Sequence, residues 1–246
     1  MEEPSSVADG GKMVKQSLLI ENIPAILWGK KNTKIMVAVH GNMSNKTDVP
    51  IAMLAEEAVP LGYQVLSFDL PQHGDREEEP TLCKVQNCVH DFSKIMSFAS
   101  GHSNNVSLFA CSLGAYFSLL AYKDVSIQRS LFLSPIVDMS RIIENMMKWF
   151  NVSKERLQAE KEIPTPAGQT LYWDYYRYVK ENPVVRWNSP TAILYGSEDN
   201  LCEFDVVSSF AVQFDCTLDV MDKGEHYFHT PEQLKFYRNW LQKYLR

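Results

Sequence analysis

No stretch of this 246-residue chain is apolar for the roughly 18 residues that a membrane-spanning helix needs. No early strand is followed by a G-x-G-x-x-G turn, so the usual dinucleotide cradle is missing. Basic residues form no stripe, and the formal net charge is −6. That balance argues against a nucleic-acid partner. Cysteine is scarce: Cys83, Cys88, Cys111, Cys202 and Cys216 are odd in number and scattered. This excludes a disulfide framework and predicts free thiols in a reducing compartment. Cys83 and Cys88 lack a zinc spacing, and no second Cys/His pair completes one. There are no internal repeats and no low-complexity tracts. Met1 to Lys12 is polar and acidic and lacks the apolar core of a secretory signal. A loose tail over residues 1–13 and a cytoplasmic protein are expected.

Apolar residues make up 45% of the chain, enough for one core domain with an inserted segment. Val14 to Ile20 and Ala25 to Gly29, with a turn over Glu21 to Pro24, read as an opening antiparallel hairpin. Lys34 to His40 and Tyr63 to Asp69 are near-continuous apolar runs, the pattern of strands buried on both faces. Asp48 to Leu61 has helical spacing and stops at Gly62. Further helices are predicted over Lys84 to Ser100, Glu203 to Gln213 and Pro231 to Leu245. Further strands are predicted over Arg129 to Ser134, Thr191 to Tyr195 and Cys216 to Met221. Strands and helices therefore alternate from residue 34 onward. That rhythm predicts an α/β protein with a mostly parallel sheet covered on both faces, its site at the carboxyl ends of the strands.

The stretch around which the chain is organised is Phe109-Ala110-Cys111-Ser112-Leu113-Gly114-Ala115. A short buried strand from Asn105 to Ala110 enters it, and a helix from Leu113 to Tyr122 leaves it. Small residues stand two places before and two places after Ser112. That is the nucleophile-elbow pattern, whose tight turn lifts the serine hydroxyl above the sheet. It also turns the Leu113 N–H toward a developing oxyanion. Cys111 is one place off the apex and points away from it.

Here the sequence resembles the α/β-hydrolase family, from about Leu18 to the C-terminus. Ala110 departs mildly from the glycine usual at that position. The resemblance implies a helical cap after the strand ending near Ser134, so the expected division is a core of residues 14–137 and 190–246 with a cap at 138–189. The cap segment is rich in apolar and aromatic residues. Its rings Tyr172, Trp173, Tyr175, Tyr176 and Tyr178 can pack on the core or wall a pocket.

The family's triad runs in the order serine, acid, histidine. After the strand ending at Tyr195, Gly196-Ser197-Glu198-Asp199 places Asp199 in the acid's position by resemblance, with Glu198 adjacent and Asp138 more distant as competitors. Gly224-Glu225-His226 before the last helix places His226 as the base, with His229 the competitor. By the same resemblance His40-Gly41 precedes a second backbone oxyanion donor, Asn42. His40 itself reads as a structural hydrogen-bonder. Asp69 to Gly74 resembles a further family loop, with Gln72 where glycine is usual and His73 bonded to backbone.

The implied function is a serine hydrolase of the carboxylesterase kind. It would cleave a small to medium uncharged ester through Ser112, His226 and Asp199, with Leu113 and Asn42 holding the oxyanion. Neither a cofactor nor a metal is required. A small-molecule ester is the expected partner, and the sequence is silent on oligomeric state. Thioester hydrolysis on the same triad stays open, as does a non-catalytic ligand-binding relative.

Overall fold

The computed structural model describes residues 13–246. The expected tail over residues 1–13 therefore falls almost wholly outside the described residues.

The chain opens with β1 (Lys15–Ile20) and β2 (Ile23–Trp28), an antiparallel pair. Glu21 and Asn22 turn it with φ of 45° and 72°, the left-handed pair that suits a two-residue hairpin. The turn is tighter than the Glu21–Pro24 expected, and Pro24 lies in β2 facing β1. Then follow β3 (Lys34–Val39), α1 (Val49–Ala58) and β4 (Tyr63–Phe68). A single 3-10 turn, Val59–Leu61, links α1 to Gly62, whose φ of 83° stops the helix. α2 (Val85–His102) runs past Gly101, beyond the expected end at Ser100. β5 (Asn105–Cys111), α3 (Ser112–Ala121) and β6 (Ser130–Leu133) complete the first half.

Between β6 and the next sheet strand lie α4 (Met139–Trp149), α5 (Lys154–Glu160), β7 (Glu162–Pro164), β8 (Thr170–Tyr172) and α6 (Trp173–Glu181). The small β7–β8 hairpin was not legible in the sequence. Each of its strands has only three residues, too few to establish an alternation. β9 (Thr191–Gly196), α7 (Phe204–Gln213), β10 (Thr217–Met221) and α8 (Pro231–Leu245) close the fold. Thr230 and Gln233 make a capping box at the start of α8.

The eight-stranded sheet has the order β1-β2-β4-β3-β5-β6-β9-β10. The last six strands in that order run parallel to one another, and β2 alone runs against its neighbours, antiparallel to both β1 and β4. One apolar cluster fills the face covered by α2, α3 and the insertion, including Phe92, Phe117 and Ile143. A second fills the face under α1 and α8, including Ile51, Tyr237 and Trp240. Central strands with apolar layers on both sides explain why their sequences read as unbroken apolar runs. Among the described residues, no helix is long and apolar enough to cross a membrane.

Candidate active site

The functional groups stand at the carboxyl ends of β3, β5, β9 and β10. β5 delivers Ser112 with φ of 46°, a left-handed conformation that a side chain adopts only under constraint. Two glycines make room for it. A Cβ on Gly114 would run into the His40 carbonyl, and one on Gly41 would stand 3.2 Å from the Ser112 Cβ. The loop after β3 is thereby pressed against the elbow. The Ile136 N–H donates to the Ser112 carbonyl at 3.1 Å and ties the loop after β6 to the same point.

The Ser112 hydroxyl lies 2.8 Å from His226 Nε2. His226 Nδ1 donates to Asp199 Oδ2 at 2.7 Å. The Asp199 side chain is fully buried, and its other oxygen accepts the N–H groups of Leu201 and Cys202 at 2.9 and 2.8 Å. A carboxylate fixed at both oxygens holds the imidazole in the tautomer that leaves Nε2 free to accept a proton. Ser112, His226 and Asp199 thus form one hydrogen-bonded chain with the geometry of a Ser-His-Asp triad.

The competitors lie elsewhere. Asp138 caps α4, accepting the Arg141 N–H. Glu198 is exposed. His229 is exposed and stacked on Tyr227, its Nδ1 donating to the Tyr227 carbonyl. Burial pushes the Cys111 thiol well above its usual range, which disfavours a thiolate there. All five cysteines are free.

Two histidines brace the loops. His40 is 1% exposed; its Nδ1 donates to the Gly41 carbonyl and its Nε2 accepts the Leu70 N–H. Burial pulls its pKa down to about 4, so it stays neutral. His73 Nδ1 donates to the Pro71 carbonyl, and its Nε2 accepts the Met43 N–H at 3.1 Å. It therefore pins the residue after Asn42. Gln72 has φ of 61°, the conformation glycine takes without strain at that position of the family loop.

Sequence reading missed Lys46. Its Nζ is 2.5 Å from buried Asp69 and 2.7 Å from Asp75, and it locks the loop after β3 to the loop after β4. It sits in a polar loop with no periodicity, where nothing marks a buried lysine.

Ser112 lies between two cavities. One, of about 460 Å³, runs under the insertion among Ile136, Met139, Ile142, Met146 and Leu171. Tyr172 and Tyr175 also line it, whereas Trp173 and Tyr178 pack against the core. The other, of about 470 Å³, lies between the loop after β3 and the His226 loop. Among the described residues, one group of metal-binding side chain types clusters: Asp199, Cys202 and His226, with donor atoms within 4.8 Å of one another. Asp199 and His226 are already bonded to each other, and burial drives the Cys202 thiol up. The hydrogen-bonded triad accounts for that cluster.

No family model and no curated protein sequence matches the chain. Solved structures do. Est1E from Butyrivibrio proteoclasticus, with ferulic acid bound, superposes with a TM-score of 0.73 at 16% identity over 94% of this chain and 97% of its own. Alpha/beta hydrolase domain-containing protein 10 from mouse gives 0.74 at 14% identity, over 94% and 96%. The Pyrococcus furiosus esterase Pf2001 gives 0.67 at 17% identity, over 99% and 97%. The chain has the α/β-hydrolase fold. In that fold the segment between β6 and β9 occupies the place of a cap, and the triad stands where the fold gathers its chemistry.

Proposed function

We propose that this protein is a serine hydrolase that cleaves small to medium, uncharged carboxylic esters through an acyl-enzyme. The observation that carries the reading is the unbroken chain Ser112–His226–Asp199. A protein that only binds ligand has no need of an imidazole held by a buried carboxylate and aimed at a serine at the tip of a strained turn. The Pyrococcus furiosus esterase Pf2001 among the structural relatives supports the same reaction class.

Ser112 Oγ attacks the ester carbonyl while His226 Nε2 takes its proton. The carbonyl oxygen gains the negative charge, and the backbone N–H groups of Leu113 and Asn42 are assigned to hold it. Leu113 opens α3, where the helix dipole adds to the effect. His226 passes its proton to the departing alcohol oxygen as the C–O bond breaks. A water then gives its proton to His226 and attacks the acyl carbon, and Ser112 Oγ leaves with that proton. Asp199 stabilises the imidazolium at each stage. No cofactor or metal enters these steps.

Residues 138–189 are assigned as the cap and residues 14–137 and 190–246 as the core. The apolar cavity beneath the cap suits the acyl chain. Five free thiols favour a cytoplasmic setting. The test is hydrolysis of p-nitrophenyl butanoate by the wild type and by Ser112→Ala. The expected loss in kcat/KM is at least about 10⁴-fold; equal rates would overturn the reading.

A further inference from the structure

A pair of thiols outside the triad carries reactivity that ester hydrolysis does not use. It stands where the loop after β4 meets the start of α2. Cys83 lies just before the helix, and the Cys88 N–H donates to the Lys84 carbonyl at 3.1 Å inside it. A single helical turn therefore brings the two side chains together, and their thiols are hydrogen-bonded to each other. Cys88 is wholly buried in the apolar layer that also holds Phe92. Cys83 is partly exposed and lines the cavity under the insertion, beside Ser112, Gln72 and His73.

The two sulfurs are unlike. The Cys88 S–H donates to the Cys83 sulfur, His73 bonds to it, and the Arg76 charge lies nearby. Together these pull the Cys83 thiol down to about 6 against the opposing effect of burial. The same hydrogen bond, with burial, pushes the Cys88 thiol well above its usual range. Burial pushes the other three thiols, Cys111, Cys202 and Cys216, upward as well. A reachable sulfur that ionises near neutral pH, next to a buried thiol that keeps its proton, is the arrangement of an oxidation-sensitive cysteine and its resolving partner.

We propose that Cys83 is a site of reversible oxidation by hydrogen peroxide, with Cys88 closing a disulfide on it. The Cys83 thiolate attacks one peroxide oxygen and the O–O bond breaks. The other oxygen takes a proton from solvent and leaves as water, so Cys83 becomes a sulfenic acid. The Cys88 sulfur then attacks the Cys83 sulfur, the S–O bond breaks, and the departing hydroxide leaves as water with the Cys88 proton. The two thiols lose two electrons and the peroxide gains them; a thiol reductant restores the pair. The bond forms at the wall of the site. The Cys83 N–H donates to Gln72 Oε1 at 3.2 Å, and the residue after Gln72, His73, accepts the Met43 N–H. The assignment concerns the thiols alone and stands whether or not Ser112 hydrolyses esters.

The test treats the reduced, full-length protein with equimolar hydrogen peroxide, alkylates the remaining thiols with iodoacetamide and digests with trypsin, which cuts at Lys84 between the two cysteines. Peptides 77–84 and 85–94 should appear joined by a bond that dithiothreitol releases. In Cys88→Ala the Cys83 sulfenic acid should persist and be trapped by dimedone. Without peroxide, near pH 7, Cys83 of the wild type should alkylate at least about tenfold faster than Cys216, which is also partly exposed. The two wild-type readouts decide the matter even where the variant fails to fold. A Cys83 that stays a free thiol under peroxide, a bond to another cysteine or between chains, or alkylation no faster than that of Cys216 would overturn the proposal.

Discussion

The two cavities that meet at Ser112 are held in different ways. The triad side is fixed by the sheet. Each of its groups follows a strand end, and backbone groups hold its side chains: Asp199 Oδ1 by the Leu201 and Cys202 N–H groups, and His40 and His73 at both ring nitrogens. The cap side is fixed by side chains. α4 and α6 are linked by Lys180–Glu144 and by the Tyr176 hydroxyl on Glu144. Lys84 reaches from the start of α2 to Asp174 and lies over the Tyr172 ring. The rest of the cap side is apolar packing. The triad is thus built where backbone geometry determines it, and the cavity under the insertion is built where side chains can change without disturbing the sheet.

The largest effect expected from breaking this contrast lies on the triad side. Asp199→Asn keeps the shape but supplies an amide where a carboxylate held the imidazole. The expected loss in kcat is about 10³- to 10⁴-fold, with the fold retained by circular dichroism. A loss under tenfold would mean that Asp199 does not orient His226.

Next comes the pH response of the brace at His40. Burial lowers its pKa from 6.5 to about 4. Below pH 6.5 the unfolded chain therefore binds a proton that the folded chain refuses, and stability falls as pH drops from 6.5 toward 4. The contribution amounts to about 3 kcal/mol across that window. Urea unfolding at several pH values should give a shallower decline for His40→Asn. Parallel slopes would contradict the assignment.

On the cap side, Ile142→Ala enlarges the cavity assigned to the acyl chain. The optimum among p-nitrophenyl esters should move to longer chains by a few-fold change in kcat/KM ratios, with stability lowered by about 2–3 kcal/mol. An unchanged profile would mean that the acyl chain lies elsewhere. The smallest effect belongs to Lys84→Ala. Its partner Asp174 is mostly exposed, so the lost pair should cost about 1 kcal/mol or less and leave the rate on short esters close to that of the wild type.

The same contrast explains what could be read from the sequence. The parallel strands were legible because burial on both faces leaves no polar position in runs such as Met36 to Val39 and Val65 to Leu66. Ser112 and Asp199 were legible because each follows such a run at a short glycine-containing turn, whereas His226 follows the half-exposed edge strand β10 and was legible from the Gly224-Glu225-His226 loop before the last helix. Asp199 was set apart from Glu198 only by the resemblance of its position to the family's acid, since adjacent carboxylates in a turn look alike until one of them bonds His226. The β7–β8 hairpin left no periodic trace because its strands have three residues each. The Lys46–Asp69 pair depends on which loop lies beside which, and that is decided by the adjacency of β4 and β3 in the sheet rather than by local pattern.

The reaction proposed for this site depends on His226, held by Asp199, activating Ser112. Reacting the purified protein with a fluorophosphonate and locating the adduct by peptide mass spectrometry, for the wild type and for His226→Ala, tests that activation. An adduct is expected on Ser112 in the wild type and none, or one formed at least about 10³-fold more slowly, in the variant. An adduct on another residue, or labelling of Ser112 at the same rate without His226, would contradict it.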